Sequence, residues 1–300
     1  MIKRGGIVAF PTETVYGLGA DVFNRDAIGS VFTAKLRPAD NPLIAHISSV
    51  DQIGELATLI TPSAQKLIAA FFPGPLTVVV PKTDRVPPNA TAGLDTIGIR
   101  MPRSSPAKEF LAACGTAVVA PSANLSGRPS PTTWQAVLED LDGRIDCILQ
   151  GEPTEIGLES TVVDCTGDVP VLLRKGAISI EEVRGVVPET VAAADPSLEL
   201  RSPGLRHKHY SPSAGVLLIG AHERLVTGPD TAYIGIAKSN GLENLGLVRL
   251  CGTIEEYVHS VFEFFRECDR AGIKTIYCET VPETGLGAAL MDRLRRAANG

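Results

Sequence analysis

Two cations, Lys35 and Arg37, stand two residues apart in "AKLRPADNPLIAHI", just ahead of Pro38. Proline disfavours α geometry at the residue before it, and extended residues two apart point to the same side. The pair is therefore expected to converge, although a solvated surface pair is the simpler alternative. The same two-residue spacing recurs in "VVAPSANLSGRPSPTT", where an apolar strand runs out into Ser122, Asn124, Ser126 and Ser130. A cap and turn before a helix near Thr133 would explain Ser130 to Thr132, but it explains Asn124 less well. Arg100 in "TIGIRMP" and Arg174 in "PVLLRKG" end apolar strands, where a buried guanidinium needs an anionic partner. Glu13, Glu159 or a bound anion could supply it. Of the five histidines, His46 in "LIAHI" and His209 in "RHKHYSP" are the ones of interest, and taken singly each is more often structural.

These residues need elements to hold them. In "GGIVAFPTETVYGLGADV" the run Ile7 to Phe10 is apolar without alternation and bounded by glycine and proline, as in a strand buried on both faces. Pro11 is expected to end it. Ligands gather beyond the carboxyl ends of such strands in open α/β sheets, which puts Thr12, Glu13 and Thr14 where a ligand would bind. A polar turn capping the next helix is the competing reading. Further strands are expected over Leu43 to Ile47, Leu76 to Val80, Ile97 to Met101, Ala117 to Ala120, Asp146 to Leu149, Thr161 to Asp164 and Val169 to Leu173. Helices are expected over Asp26 to Ala34, Ser63 to Phe71, Pro106 to Ala113, Thr133 to Leu141 and Ile180 to Val186. The alternation is that of α/β layers, too irregular for a doubly wound sheet, so a mixed sheet is expected.

After Pro188 a stretch of small, charged and proline residues reads as a linker. Beyond it "GVLLIG", "TAYIGIA", "LGLVRL" and "KTIYCE" look like strands, and "ALMDRLRRAA" like a last helix. A helix from Ile254 to Ala271 is marked by a Thr253/Glu256 capping-box pair and by one apolar face running from Ile254 to Cys268. These make a smaller second α/β domain.

Three hundred residues suit two domains. With 44% hydrophobic and 21% charged residues, the chain matches ordinary globular proteins and excludes disordered or fibrous classes. A formal net charge of −6 argues against a protein that coats nucleic acid, while leaving room for a local basic cleft. No apolar segment is long enough to cross a bilayer and "MIKRGG" lacks a signal-peptide core, which predicts a cytoplasmic protein without membrane contact. The six cysteines contain no C-x-x-C pair and are expected as buried free thiols. Walker and dinucleotide loops, nucleophile elbows and zinc-protease motifs do not occur; "GLGADV" and "GLGAAL" lack the third glycine.

In order along the chain, "PTETVYGLGA", "KLRPADNPL", "PGPLTVV", "GIRMP", "PSANLSGRPSPT", "ESTVVD", "LLRKGAI" and "SPGLRHKHYSP" resemble the threonylcarbamoyl-AMP synthase family in its long form. That form joins a YrdC-like catalytic domain, through a linker, to a smaller C-terminal domain. The resemblance implies a YrdC-like mixed twisted sheet over residues 1–188, a linker or lid over 189–213 and a Rossmann-like α/β domain over 214–300. It also implies L-threonine, bicarbonate and ATP as substrates, giving L-threonylcarbamoyladenylate and pyrophosphate in a nucleotidyl transfer. The product would feed the threonylcarbamoyl modification of the adenosine beside the tRNA anticodon, through downstream transferase proteins and with at most a weak tRNA contact of its own.

By similarity, Thr14, His46, Arg100, the backbone near Ala120, and Ser160 bind L-threonine, with Arg100 offering a bidentate fork to its carboxylate. Lys35, Arg37, Asn41, Thr96, Ser122, Asn124, Ser130, Arg174 and Tyr210 match the ATP motifs, with Lys35 and Arg37 as the catalytic cations. Magnesium is implied by the triphosphate, with no carboxylate cluster to identify its ligands. The family usually carries a helix before its first motif, whereas six residues precede Ile7 here. Two rivals share parts of this pattern: an RNA-binding or ribosome-associated module, and a carbamoyl-group transferase using a related adenylate. The linker segment "RSPGLRHKHYSP" is expected to act as a strap over an anionic ligand, and the second domain as its anchor, without catalytic residues of its own.

Overall fold

The computed structural model describes residues 1–193, 210–221, 223, 225–238 and 241–299. Ten strands form one mixed sheet: β1 (Val8–Pro11), β2 (Tyr16–Asp21), β3 (Ile44–His46), β4 (Leu76–Pro81), β5 (Thr96–Arg100), β6 (Val118–Val119), β7 (Cys147–Ile148), β8 (Thr161–Asp164), β9 (Val171–Arg174) and β10 (Val191–Ala192). Their order is β10-β9-β8-β4-β5-β3-β6-β2-β1-β7, with parallel and antiparallel neighbours intermingled. The mixed sheet expected from the irregular alternation is present. Helices α1 (Arg25–Lys35), α2 (Ile53–Leu56), α3 (Pro62–Phe71), α4 (Ser105–Cys114), α5 (Trp134–Leu141) and α6 (Ile180–Val186) accompany it.

A second sheet holds β11 (Gly215–Ile219), β12 (Thr231–Gly235), β13 (Leu247–Leu250) and β14 (Thr275–Glu279) in the order β11-β14-β12-β13, all parallel. Helices α7 (Ile254–Arg270) and α8 (Leu286–Ala298) pack against it. Thr253 caps α7 by accepting from the Glu256 amide, but the box does not close as expected. The Glu256 carboxylate accepts from the Gly252 amide at 2.5 Å, one residue before the cap. All six cysteines are free thiols.

The segment after Pro11 is neither a crossover nor a helix cap. Pro11 pairs with Tyr16, so residues 12–15 are the tight end of an antiparallel hairpin between β1 and β2. Strand β2 was hidden from sequence reasoning because Gly17 and Gly19 look like loop signals. Crowding demands Gly19 and favours Gly17. A Cβ on Gly19 would lie 2.8 Å from Val118 Cγ1 and 3.1 Å from Phe10 Cε1, and one on Gly17 would lie 3.2 Å from the Ala120 Cβ. Closing these gaps lets the loop after β6 ride along β2: Leu18 donates to the Pro121 carbonyl at 2.8 Å and Ala123 to the Tyr16 carbonyl at 2.8 Å.

The substitution Gly19→Ala should therefore destabilise the protein by about 1 to 3 kcal/mol through overpacking against Val118 and Phe10. Urea unfolding followed by far-ultraviolet circular dichroism measures it, and a midpoint equal to wild type would contradict the packing described.

Candidate functional site

One cavity gathers the hairpin end, the carboxyl ends of β5 and β9, and the loop after β6. Thr12, Glu13 and Thr14 are buried in the hairpin end. The Thr12 hydroxyl accepts from the Thr14 and Val15 amides and donates to the Val15 carbonyl at 2.7 Å, which folds the turn back on itself. Amides of Ile156 and Gly157 donate to the Glu13 and Thr14 carbonyls and clamp it from outside.

Arg100, at the end of β5, is 4% exposed and reaches into this turn. It donates to the Thr14 hydroxyl at 2.8 Å, to Glu13 Oε1 at 2.7 Å and to the Gly74 carbonyl at 3.4 Å. Glu13 Oε2 also accepts from the Arg103 amide at 3.2 Å. Burial alone would raise the Glu13 pKa, but the Arg100 guanidinium beside it outweighs burial and holds the carboxyl below its usual range. Each terminal nitrogen thus gives one N–H to the hairpin end and keeps a second.

His46 is buried beside Arg100, edge-on to the Phe10 ring at 6.0 Å. Its Nδ1 donates to the Ile44 carbonyl at 3.1 Å. Burial, reinforced by the Arg100 charge, pushes its pKa down to about 3, so the ring is neutral near pH 7.

Lys35 and Arg37 do converge on the site, but not by the extended geometry expected. Helix α1 runs through Lys35, Leu36 turns left-handed at φ 51° to end it, and the Arg37 amide donates back to the Phe32 carbonyl at 2.9 Å. The αL cap at Leu36 reverses the chain before Pro38 and swings the two cations together. Lys35 Nζ donates to the Ser122 carbonyl at 2.5 Å and to the Asn124 carbonyl. Burial, and then the neighbouring Arg37, push its pKa well down. Arg37 donates to the Asn41 and Pro42 carbonyls at 3.4 and 3.3 Å, while its buried Nε has no partner among the described residues. Burial lowers its pKa to about 10.

Arg174 donates to the Ser160 carbonyl and hydroxyl, both at 3.0 Å, and Ser160 also bonds the Thr77 hydroxyl at 2.8 Å. Burial lowers the pKa of Arg174. Tyr210 completes the lining, with a left-handed backbone at φ 67°.

Of the residues singled out from the sequence, Thr14, Arg37, His46, Arg100, Ala120, Ser122, Ser160, Arg174 and Tyr210 line the cavity. Lys35 supports it from behind. Ser122 and Asn124 do point together, since the Ser122 hydroxyl donates to Asn124 Oδ1 at 2.6 Å. Asn124 then turns away, its Nδ2 donating to the Leu125 and Arg128 carbonyls. Ser130 is no helix cap, a task taken by Thr133; its hydroxyl donates to Glu159 Oε1 at 2.5 Å. Asn41 offers its carbonyl to Arg37. Thr96 opens β5, four residues before Arg100 and so about 13 Å along the strand from it, outside the cavity lining. His209 and the strap residues Arg201, Arg206 and Lys208 lie outside the described residues.

Comparison with known proteins decides the family. The family model described as "Telomere recombination" matches residues 1–176, and that described as "Threonylcarbamoyl-AMP synthase, C-terminal domain" matches residues 178–299. The threonylcarbamoyl-AMP synthase of Pyrococcus abyssi is 42% identical over 311 residues, covering 99% of this chain and 92% of that protein. This chain belongs to the threonylcarbamoyl-AMP synthase family. The Bacillus subtilis member is 40% identical over 316 residues, covering all of this chain and 91% of its own. Among solved structures, P. abyssi Sua5 complexed with L-threonine superposes with a TM-score of 0.92 at 40% identity, over 99% of this chain and 92% of that one. The family's C-terminal domain holds two functional candidates that sequence reasoning missed, Arg266 and Arg293, each about 1% exposed. The signal was present, since each arginine interrupts an apolar helical face, between Phe262, Phe265 and Cys268 in one case and between Leu290, Leu294 and Ala297 in the other.

His46 makes the fold acid-labile in a defined window. Its folded pKa lies below the unfolded value near 6.5, so its contribution is complete above pH 6.5 and is lost as the pH falls toward 3. Between pH 6.5 and 5 the loss is on the order of 1 to 2 kcal/mol. Melting curves across pH 7 to 5 should slope downward for wild type and flatten for His46→Gln, which keeps a donor for Ile44 but cannot titrate. Equal slopes would contradict this account.

Proposed function

We propose that this chain is an L-threonylcarbamoyladenylate synthase, a nucleotidyltransferase that joins L-threonine, bicarbonate and ATP and releases pyrophosphate. One observation carries the reading. Lys35, Arg37, Arg100 and Arg174 are each 9% exposed or less around one cavity, and Arg37 keeps a buried Nε without a protein partner among the described residues. Desolvated cations of this density call for a polyanion, and a triphosphate supplies one. The similarity to a Pyrococcus abyssi protein whose structure holds L-threonine supports the amino-acid half of the reading.

In this scheme the threonine amine takes up bicarbonate to give a carbamate and water. A carbamate oxygen then attacks the α-phosphorus of ATP while the bond to the leaving pyrophosphate breaks. Such displacement is driven by positioning and by fixed cations around the phosphates. Arg37 and Arg174 would take the nucleotide phosphates, with Lys35 fixing the Ser122 to Asn124 loop beneath them and Tyr210 closing one side. Thr14, the neutral His46, Arg100, the Ala120 backbone and Ser160 would read threonine. Asn41, Thr96, Ser122, Asn124 and Ser130 complete the proposed nucleotide set, with Thr96 reached only by a part of ATP extending along β5.

The donor set does not make a magnesium cage. Glu13 is paired with Arg100 and Glu159 with Arg293, and no cluster of three metal-ligating side chains occurs among the described residues. We therefore propose that magnesium arrives with ATP, held by phosphate oxygens. The adenylate would pass to proteins that transfer the threonylcarbamoyl group to tRNA, with at most a weak tRNA contact here and a cytoplasmic setting. No helix among the described residues is long and apolar enough to cross a membrane.

With ATP, magnesium and bicarbonate, purified protein should release pyrophosphate only when L-threonine is added. Serine should be poorer and valine nearly inactive, because polar groups built around a hydroxyl are left unpaired by an isostere lacking one. Equal release with and without threonine would overturn the proposal.

A further inference from the structure

Helix α8 of the C-terminal domain carries Arg293 in the middle of its apolar stripe, fully enclosed. The guanidinium leaves its own domain. Its Nε donates to Glu159 Oε2 at 2.9 Å, one terminal nitrogen to the Lys175 carbonyl at 3.0 Å and the other to Asp292 at 2.5 Å. Its central carbon stands 5.1 Å from the centroid of the Tyr210 ring, which stacks in turn on Phe262 of α7 at 5.4 Å. Glu159 lines the cavity beside Ser160, Arg174 and Tyr210, and its second oxygen accepts from Ser130.

A carboxylate in the wall of a cavity that receives a triphosphate is an electrostatic liability, because like charges a few ångströms apart repel strongly where water is excluded. Arg293 meets that liability in two ways. It pairs with Glu159 while sharing Asp292 with Arg296, and it fixes which carboxylate oxygen faces Ser130, holding the end of the 121–130 loop against the residues that lead into β8. Arg174 also feels the Glu159 charge, but no hydrogen bond ties either it or Arg100 to that carboxylate among the contacts described. Arg174 is committed to the Ser160 carbonyl and hydroxyl, and Arg100 to Glu13 and Thr14.

We propose that Arg293 is a positioning residue for ATP, reaching from the C-terminal domain to neutralise and orient Glu159 so that the nucleotide meets a net cationic wall. The proposal rests on the functional reading above. It assigns the C-terminal domain a part in substrate affinity beyond anchoring the chain that precedes it.

The test uses the full chain as wild type, Arg293→Met, Arg293→Lys, Glu159→Gln and the double variant Arg293→Met with Glu159→Gln. Threonine-dependent pyrophosphate release gives KM for ATP and for threonine, and titration calorimetry gives ATP affinity without turnover. Arg293→Met should raise the ATP KM about tenfold or more while moving the threonine KM by less than about threefold. Adding Glu159→Gln should bring the ATP KM back to within about threefold of wild type, because the uncompensated charge is gone. Arg293→Lys, which keeps the charge but loses the fork, should sit between, and it serves as the comparison should Arg293→Met fail to fold. A purely structural arginine predicts lower melting midpoints with unchanged ATP KM and affinity in every folded variant, and that result would overturn the proposal. A tenfold rise in ATP KM from Glu159→Gln alone would overturn it too. Wild-type protein that binds ATP yet releases no pyrophosphate with threonine would instead defeat the functional reading, and the calorimetric comparison would still decide the role of Arg293.

Discussion

Burying positive charge without enough carboxylate to balance it is the constraint around which this molecule is arranged. Arg37, Arg100 and Arg174 line one cavity with Lys35 behind it, and among the described residues Glu13 and Glu159 are the carboxylates ion-paired there, while the charges of Asp140 and Asp40 bear on Lys35 and Arg37. Glu13 is taken by Arg100, and Glu159 by an arginine from the other domain. Lys35 and Arg37 make do with backbone carbonyls. Removing a cation from water costs several kcal/mol unless strong partners replace the solvent, and neutral carbonyls replace it only in part. An arriving anion would relieve that cost, so on this account the protein without one carries it as a burden.

The fold answers this constraint with short, heavily tied segments. The hairpin end at residues 12–15 is closed by Thr12 and clamped by Ile156 and Gly157. The loop after β6 is tied to β2 through Pro121 and Ala123, which the bare glycines of β2 permit. A second buried bridge, Arg266 to Asp140 at 2.9 Å, supports the same loop from the C-terminal domain, because Asp140 also accepts from the Leu125 amide and from Arg128. Helices α7 and α8 thus each send one enclosed arginine to a carboxylate that braces the cavity. Breaking such a pair on one side leaves a naked charge, so the two sheets are coupled more firmly than their connecting chain requires.

Much of this was legible in the sequence, for identifiable reasons. Strands such as Thr161–Asp164 declare themselves by unbroken apolar runs, and Arg100 and Arg174 stand out because a guanidinium at the end of such a run has few explanations. What failed was local geometry set by distant contacts. The glycines of β2 read as loop although Val118 and Phe10 require them, and the Lys35 to Arg37 segment read as extended although an αL residue reverses it. Which carboxylate partners Arg100 could not be read either, because Glu13, 87 residues away in sequence, was only one of several candidates. Arg293 escaped notice although it falls on the apolar face of its helix with Leu290, Leu294 and Ala297, because the partner that offsets such burial, Glu159, lies in the other domain.

The central claim, that buried cations are held ready for a polyanion at a cost to the empty protein, is tested most directly by thermal unfolding of wild type and Arg37→Met at increasing ATP. Wild type should melt progressively higher as ATP rises, approaching about 2.7 kcal/mol of added stability at a hundred times the dissociation constant. Without ATP, Arg37→Met should melt within a few degrees of wild type or above it, because the charge it removes is incompletely partnered. It should also lose most of the ATP-dependent rise. An Arg37→Met protein that melts far below wild type while keeping the full response to ATP would contradict the account, because the arginine would then be serving the fold rather than the ligand.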